Sequence, residues 1–148
     1  MMFRKLHDEE SVTIIYQLKH DQRRIDQVQR ATRTTENFGI EPTHGMFGSE
    51  EWWQNIELGR LPLHTLKGRI TKVFMGSMGD WPEFKMVSDA GEESSWTRMM
   101  HSAEQDERYR VGARIEIDFV WQQHRPKSFD HGEKTVQVIE IRIGPSGE

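Results

Sequence analysis

From Val111 to Trp121 hydrophobic and polar residues alternate. Val111, Ala113, Ile115, Ile117, Phe119 and Trp121 fall on one side, Arg114, Glu116 and Asp118 on the other. A period of two predicts a strand with one buried face. One strand cannot hide that face alone, so partner strands and a second layer are required. The residues from His64 onward supply the strands. They are predicted over Leu66–Met75, Glu83–Val87, Ser95–Met99 and Thr135–Ile143, the last carrying Val136, Val138, Ile139, Ile141 and Ile143. Gly68 permits a bend in the first of these, and the uneven spacing of Ile70, Val73 and Phe74 predicts a bulge there. Gly76 to Asp80 and Asp89-Ala90-Gly91 read as turns. The polar segment Met100–Arg110 has room for a helical turn, and the tail 144–148 is expected to be disordered.

The N-terminal part has a different rhythm. Ile14, Leu18, Ile25 and Val28 form a narrow stripe at spacings of four, seven and three, which predicts a long helix over about residues 9–32 with Asp8 as its N-cap. Asp21 with Arg24, and Asp26 with Arg30, are expected ion pairs on its outer side. The competing reading makes Val12 to Leu18 a strand, because Val12, Thr13, Ile14 and Ile15 are all β-branched; helix is preferred. The stripe packs either on the strand region or on a second copy of the chain. After a loop punctuated by Gly39, Pro42, Gly45 and Gly48, Ser49 is the expected N-cap of a short helix over about 50–58. Gly59 and Pro62 close it. Trp52 and Trp53 point about 100° apart on this helix, so one packs inward while the other faces the long helix or a partner.

Together these elements predict an α+β chain: a helical N-terminal extension, residues 1–63, packed on a small five-stranded antiparallel β-barrel, residues 64–143. Five strands, an irregular insert before the fourth, a Gly at the entry to it and a long connection before the fifth resemble the oligonucleotide/oligosaccharide-binding (OB) barrel. The likeness lies at the level of fold.

Composition narrows what such a chain does. At 148 residues one core suffices, but apolar residues are only 34%, so that core must rely on large side chains, the five Trp and seven Phe among them. No apolar run approaches the roughly 20 residues of a membrane helix, and the first residues contain no signal core, so a cytoplasmic protein with no membrane contact is expected. The absence of cysteine excludes disulfides, thiolate metal sites and cysteine nucleophiles. A net charge of −4 disfavours tight nonspecific binding to polyanions.

The OB likeness implies a ligand surface on strands two and three and on the loops beside them. It would bring together Trp81, Lys85, Trp96, Arg98, Arg125, Lys127 and Phe129, with Met75, Met78 and Lys134 nearby. Aromatic faces interleaved with cations suit single-stranded nucleic acid. The acids Asp89, Glu92, Glu93, Glu104, Asp106 and Glu107 flank the third strand and would repel phosphate. A catalytic alternative needs His with carboxylate: His44 near Glu50 and Glu51, His101 with Glu104, or His124 and His131 with Asp130 and Glu133. None matches a ligand or triad spacing, so no cofactor and no metal are expected, and the chain reads as more binding module than enzyme. The binding reading rests on Ile14, Leu18, Ile25, Val28, Trp52 and Trp53 as interface candidates, and on eight Met, a residue that adapts to interfaces. It predicts a protein partner or a homo-oligomer.

Overall fold

Four β-branched residues in a row override the helical stripe near the N-terminus. In the computed structural model, which describes residues 12–36, 38–76, 79–124 and 134–146, Thr13–Gln17 is a strand, β1. A single 3-10 turn, Leu18–His20, follows. The helix α1 occupies only Gln22–Thr34, and its N-cap is Asp21, whose side chain accepts from the Arg24 backbone N–H at 3.2 Å. The expected helix over 9–32 is thus corrected to a strand followed by a shorter helix; Asp8 and residues 9–11 lie outside the described residues. Asp21 is engaged by the Arg24 main chain, and Asp26 accepts from the Gln22 side chain at 2.8 Å.

The short helix α2, Glu50–Glu57, starts as its sequence predicts: Ser49 Oγ accepts from the Trp52 N–H at 3.2 Å. It ends at Gly59, which adopts φ +82°. The remaining strands are β2 (His64–Gly76), β3 (Trp81–Ser88), β4 (Glu93–Thr97), β5 (Ala113–Gln123) and β6 (Lys134–Ser146). A 3-10 helix, Ala103–Arg108, sits between β4 and β5. Gly144, Pro145 and Ser146, expected in a disordered tail, continue β6; residues 147–148 lie outside the described part.

The chain is α+β, with six strands in one antiparallel sheet of order β1-β6-β5-β2-β3-β4. The sixth strand is β1, read above as helix. The order is linear, with β1 and β4 at its ends, and the sheet is not closed. β2 pairs with β3 through a register shift between Ile70 and Lys72, the bulge that the spacing of Ile70 and Val73 predicts. Gly68 is needed for close approach: a Cβ there would stand 2.2 Å from the Val87 carbonyl oxygen.

The chain divides into two compact units, one from the stretches 12–16, 65–117 and 140–146 and the other from 17–64 and 118–139. In the first, Ile70, Phe84, Met86, Ile115, Ile117, Ile141 and Ile143 are all sealed from water. Tyr109 packs on Phe84 and donates its hydroxyl to the Met99 carbonyl. Burial pushes that phenol well above its ordinary range. Arg114 makes a two-armed ion pair with Asp89, 2.8 Å at each oxygen. In the second unit, Leu18, Ile25, Ile40, Phe47, Trp52, Leu61 and Val120 are buried, with Phe47 and Trp52 ring centres 4.7 Å apart. Two of its buried polar side chains are matched locally: Thr32 Oγ1 donates to the Val28 carbonyl and receives the Ile40 N–H, and Asn55 Nδ2 donates to the His44 carbonyl at 3.0 Å.

Candidate functional site

The buried face of β5 is not the same along its whole length. Ala113, Ile115 and Ile117 are buried, and then Val120 and Gln122 are. The side chains go on alternating, since the rings of Phe119 and Trp121 two residues apart still meet, but the covered side passes from odd to even residues across Asp118 and Phe119, both half-buried. Trp121, expected on the buried face, is therefore 45% exposed. Val111, expected on the same face, precedes the strand and is also exposed.

This end of β5 borders a recess on the second unit. Thr43, His44, Leu61, Pro62, His64, Trp121, Gln122, Gln123 and Lys134 line it, with a volume of about 410 Å³. Each wall has a local cause. His64 stacks on Phe119 at 5.4 Å, and Phe119 meets Trp121 edge-on at 6.0 Å, so the aromatic side is one run of ring contacts. The loop wall is fixed to β5 by the Glu41 N–H donating to the Gln123 carbonyl at 2.9 Å, and Thr43 N–H donates back to Glu41. The Thr43 hydroxyl and His44 Nδ1 pair at 3.0 Å. Behind the lining, Trp52 Nε1 donates to Gln122 Oε1 at 2.9 Å, and the Gln122 Nε2 donors have no partner among the described residues. Leu63, beside this wall in sequence, is 45% exposed. Apolar and aromatic surface rimmed by a few fixed polar groups is the make-up of a protein-recognition patch.

The described members of the sequence-predicted ligand set do not share one face. Trp96 pairs directly with the buried Phe84, whereas Trp81 and Lys85 occupy the opposite face of β3. Trp81 donates its indole N–H to Thr97 and Trp96 to Ser94. Arg98 is consumed by the fold: its guanidinium donates to the Phe74 and Glu83 carbonyls at 2.9 and 2.7 Å and to Asp106 at 3.0 Å. Arg125, Lys127, Phe129 and Met78 lie outside the described residues.

Among the interface candidates, Leu18, Ile25 and Trp52 are buried within the chain. Val28 and Trp53 are half-buried, with Lys19 Nζ 5.6 Å from the Trp53 ring centre. Ile14 is exposed. The histidine candidates are otherwise engaged. His44 pairs with Thr43 and with neither Glu50 nor Glu51, and His101 stacks on Tyr16 at 5.1 Å. His124 bridges to Ile40. Among the described residues no three His, Asp or Glu side chains converge as metal ligands would; His131, Asp130 and Glu133 lie outside them. Sequence reasoning missed Trp121, His64 and Gln122 as a site. The one signal was Gln122 itself, a polar residue that fits neither face cleanly.

The model of the immunity protein RhsI2 family matches residues 12–144, nearly the whole chain. The chain belongs to the RhsI2 immunity protein family. No curated protein matches the sequence. Membership makes the chain a small protein-binding module of the immunity type. Among the described residues no helix is long and apolar enough to cross a membrane.

Proposed function

We propose that this chain protects a cell from a toxin protein by binding it, acting in the cytoplasm and without chemistry of its own. The observation that carries the reading is the RhsI2 immunity family match over residues 12–144. The aromatic recess of the second unit is the contact surface we assign to it. An exposed Trp held by neighbouring rings loses little conformational freedom on docking, and such residues dominate binding energy at protein interfaces. Thr43, Gln123 and Lys134 on the lining offer polar groups that set orientation. With Leu18, Ile25 and Trp52 inside the chain, the partner proposed is the toxin and not a second copy.

The test is co-production of the toxin with and without this chain, together with size-exclusion chromatography of the purified pair. Restored growth and co-elution are expected. Growth arrest unchanged by the chain, with separate elution at micromolar concentration, overturns the reading.

A further inference from the structure

A second recess of the same unit holds a guanidinium that the fold does not use up. Arg24, Gln27, Val28 and Ala31, one stripe of α1, form one wall, and His124, Thr135 and Gln137 form part of the other, around about 290 Å³. Arg24 Nη2 donates to Gln137 Oε1 at 2.9 Å. Gln137 is itself buried, so the guanidinium plane is anchored. Its Nε–H is enclosed without an acceptor, and no carboxylate among the described residues stands within ion-pair distance of it. The nearest acids along the helix are committed elsewhere: Asp21 takes the Arg24 main-chain N–H, and Asp26 takes the Gln22 amide. A half-buried cation with no counter-charge among the described residues is incomplete, because a charge withdrawn from water needs a paired acceptor.

The surroundings say which acceptor completes it. In a chain of net charge −4, α1 carries Arg23, Arg24, Arg30 and Arg33 against Asp26 alone. At 100° per residue, Arg23 and Arg30 lie on the flank adjoining Gln27, and both are exposed. The helix is thus a basic stripe on an acidic molecule, with a pocket-sized cation beside it. We propose that this recess is a carboxylate-binding subsite in which Arg24 receives an Asp or Glu side chain of the protein partner. The planar guanidinium fork matches a carboxylate's two oxygens, and Arg23 and Arg30 draw an acidic segment toward it. The partner's identity as a protein rests on the immunity reading; the anion site itself rests on Arg24 and Gln137.

Two measurements separate those levels. In the first, the Arg24 Nε–H resonance of the isolated chain is followed by NMR while sodium acetate, sodium phosphate or sodium chloride is added. A saturable shift with acetate, weaker with phosphate, absent with chloride at equal ionic strength and absent from the Arg24→Gln spectrum is expected. No acetate response, or a response that phosphate matches, overturns the subsite whatever the toxin does. In the second, toxin affinity is compared for the wild type, Arg24→Gln, Arg24→Lys and Arg23→Gln. Arg24→Gln is expected to weaken binding at least tenfold and Arg24→Lys to recover only part of it, with Arg23→Gln within threefold of the wild type. A wild-type complex that Arg24→Gln leaves within threefold overturns the role in partner binding. A saturable acetate shift without any toxin complex upholds the subsite and removes only the immunity reading.

Discussion

Trp52 and Gln122 are joined by a hydrogen bond of 2.9 Å between the indole N–H and the carboxamide oxygen, and both side chains are withdrawn from water. The bond fixes which way the amide faces, since the oxygen must point at the indole. Trp52→Phe deprives the carboxamide oxygen of the indole donor, and Gln122→Met takes the acceptor from the indole. Each is expected to cost about 1–3 kcal/mol, because a buried polar group left alone loses its full solvation. The double variant is expected to cost less than the sum by at least 0.5 kcal/mol, the usual floor for coupled neighbours. Urea denaturation of the four proteins measures it; strict additivity would mean that the bond carries no net energy.

Gly48 reaches φ +77°, and a Cβ there would stand 2.6 Å from Ile25 Cγ2, against the buried core of α1. Gly59 reaches φ +82° with nothing within 4 Å. Ala at Gly59 meets only the backbone penalty, roughly 1–2 kcal/mol. Ala at Gly48 meets the same penalty and a clash, so its loss is expected to exceed that at Gly59 by about 1 kcal/mol or more, in keeping with overpacked cores. Thermal melts of the two variants side by side isolate the steric part.

What the sequence reveals and what it hides divides along the range of the interactions. The Ser49 cap, the break at Ile70–Lys72 and the inward face of Ala113–Ile117 are set by neighbours in the chain, so residue type alone predicts them. Thr13–Gln17 was misread because Ile14, Leu18 and Ile25 satisfy a helical spacing while belonging to a strand, a turn and a helix. Arg98 looks like a ligand-binding cation in sequence; only the fold brings the carbonyls of Phe74 and Glu83 to it. The recess was hidden for a related reason. Hydrophobic Phe119 and Trp121 continue the alternation of Ile115 and Ile117, but at this end the covered side is that of Val120 and Gln122, so the pattern places Trp121 inside where the fold leaves its face open.

The Asp89–Arg114 pair gives a pH signature. The hydrogen-bonded Arg114 guanidinium holds the Asp89 carboxyl below its ordinary 3.8, against a weaker push upward from burial. A lowered folded-state pKa means that the pair stabilises above the unfolded value and that this is lost as pH falls through the folded one. Both groups are partly exposed, so the expected advantage of wild type over Asp89→Asn near neutral pH is only about 0.2–1 kcal/mol. It should hold down to about pH 5 and shrink toward zero below the lowered pKa. Denaturant titrations at a series of pH values check this, and an advantage that grows on acidification would contradict it.

Trp121 and Trp81 are both exposed indoles, 45% and 55%, yet only Trp121 belongs to the recess assigned to the toxin. Neither is a core residue, so Trp121→Ala and Trp81→Ala are each expected to shift folding stability by little, about 0.5 kcal/mol or less, as surface changes do. Their effects on binding should diverge. Trp121 is braced edge-on by Phe119, which His64 stacks upon, so its surface is presented without further ordering, the condition that makes a Trp an anchor. Its removal is expected to cost at least 2 kcal/mol of toxin affinity, about a 30-fold rise in Kd. His64→Ala, which frees Phe119 and through it Trp121, is expected to cost less than Trp121→Ala and more than Trp81→Ala. Isothermal titration of the three variants orders them, and a Trp81→Ala loss larger than that of Trp121→Ala would move the docking surface to the first unit.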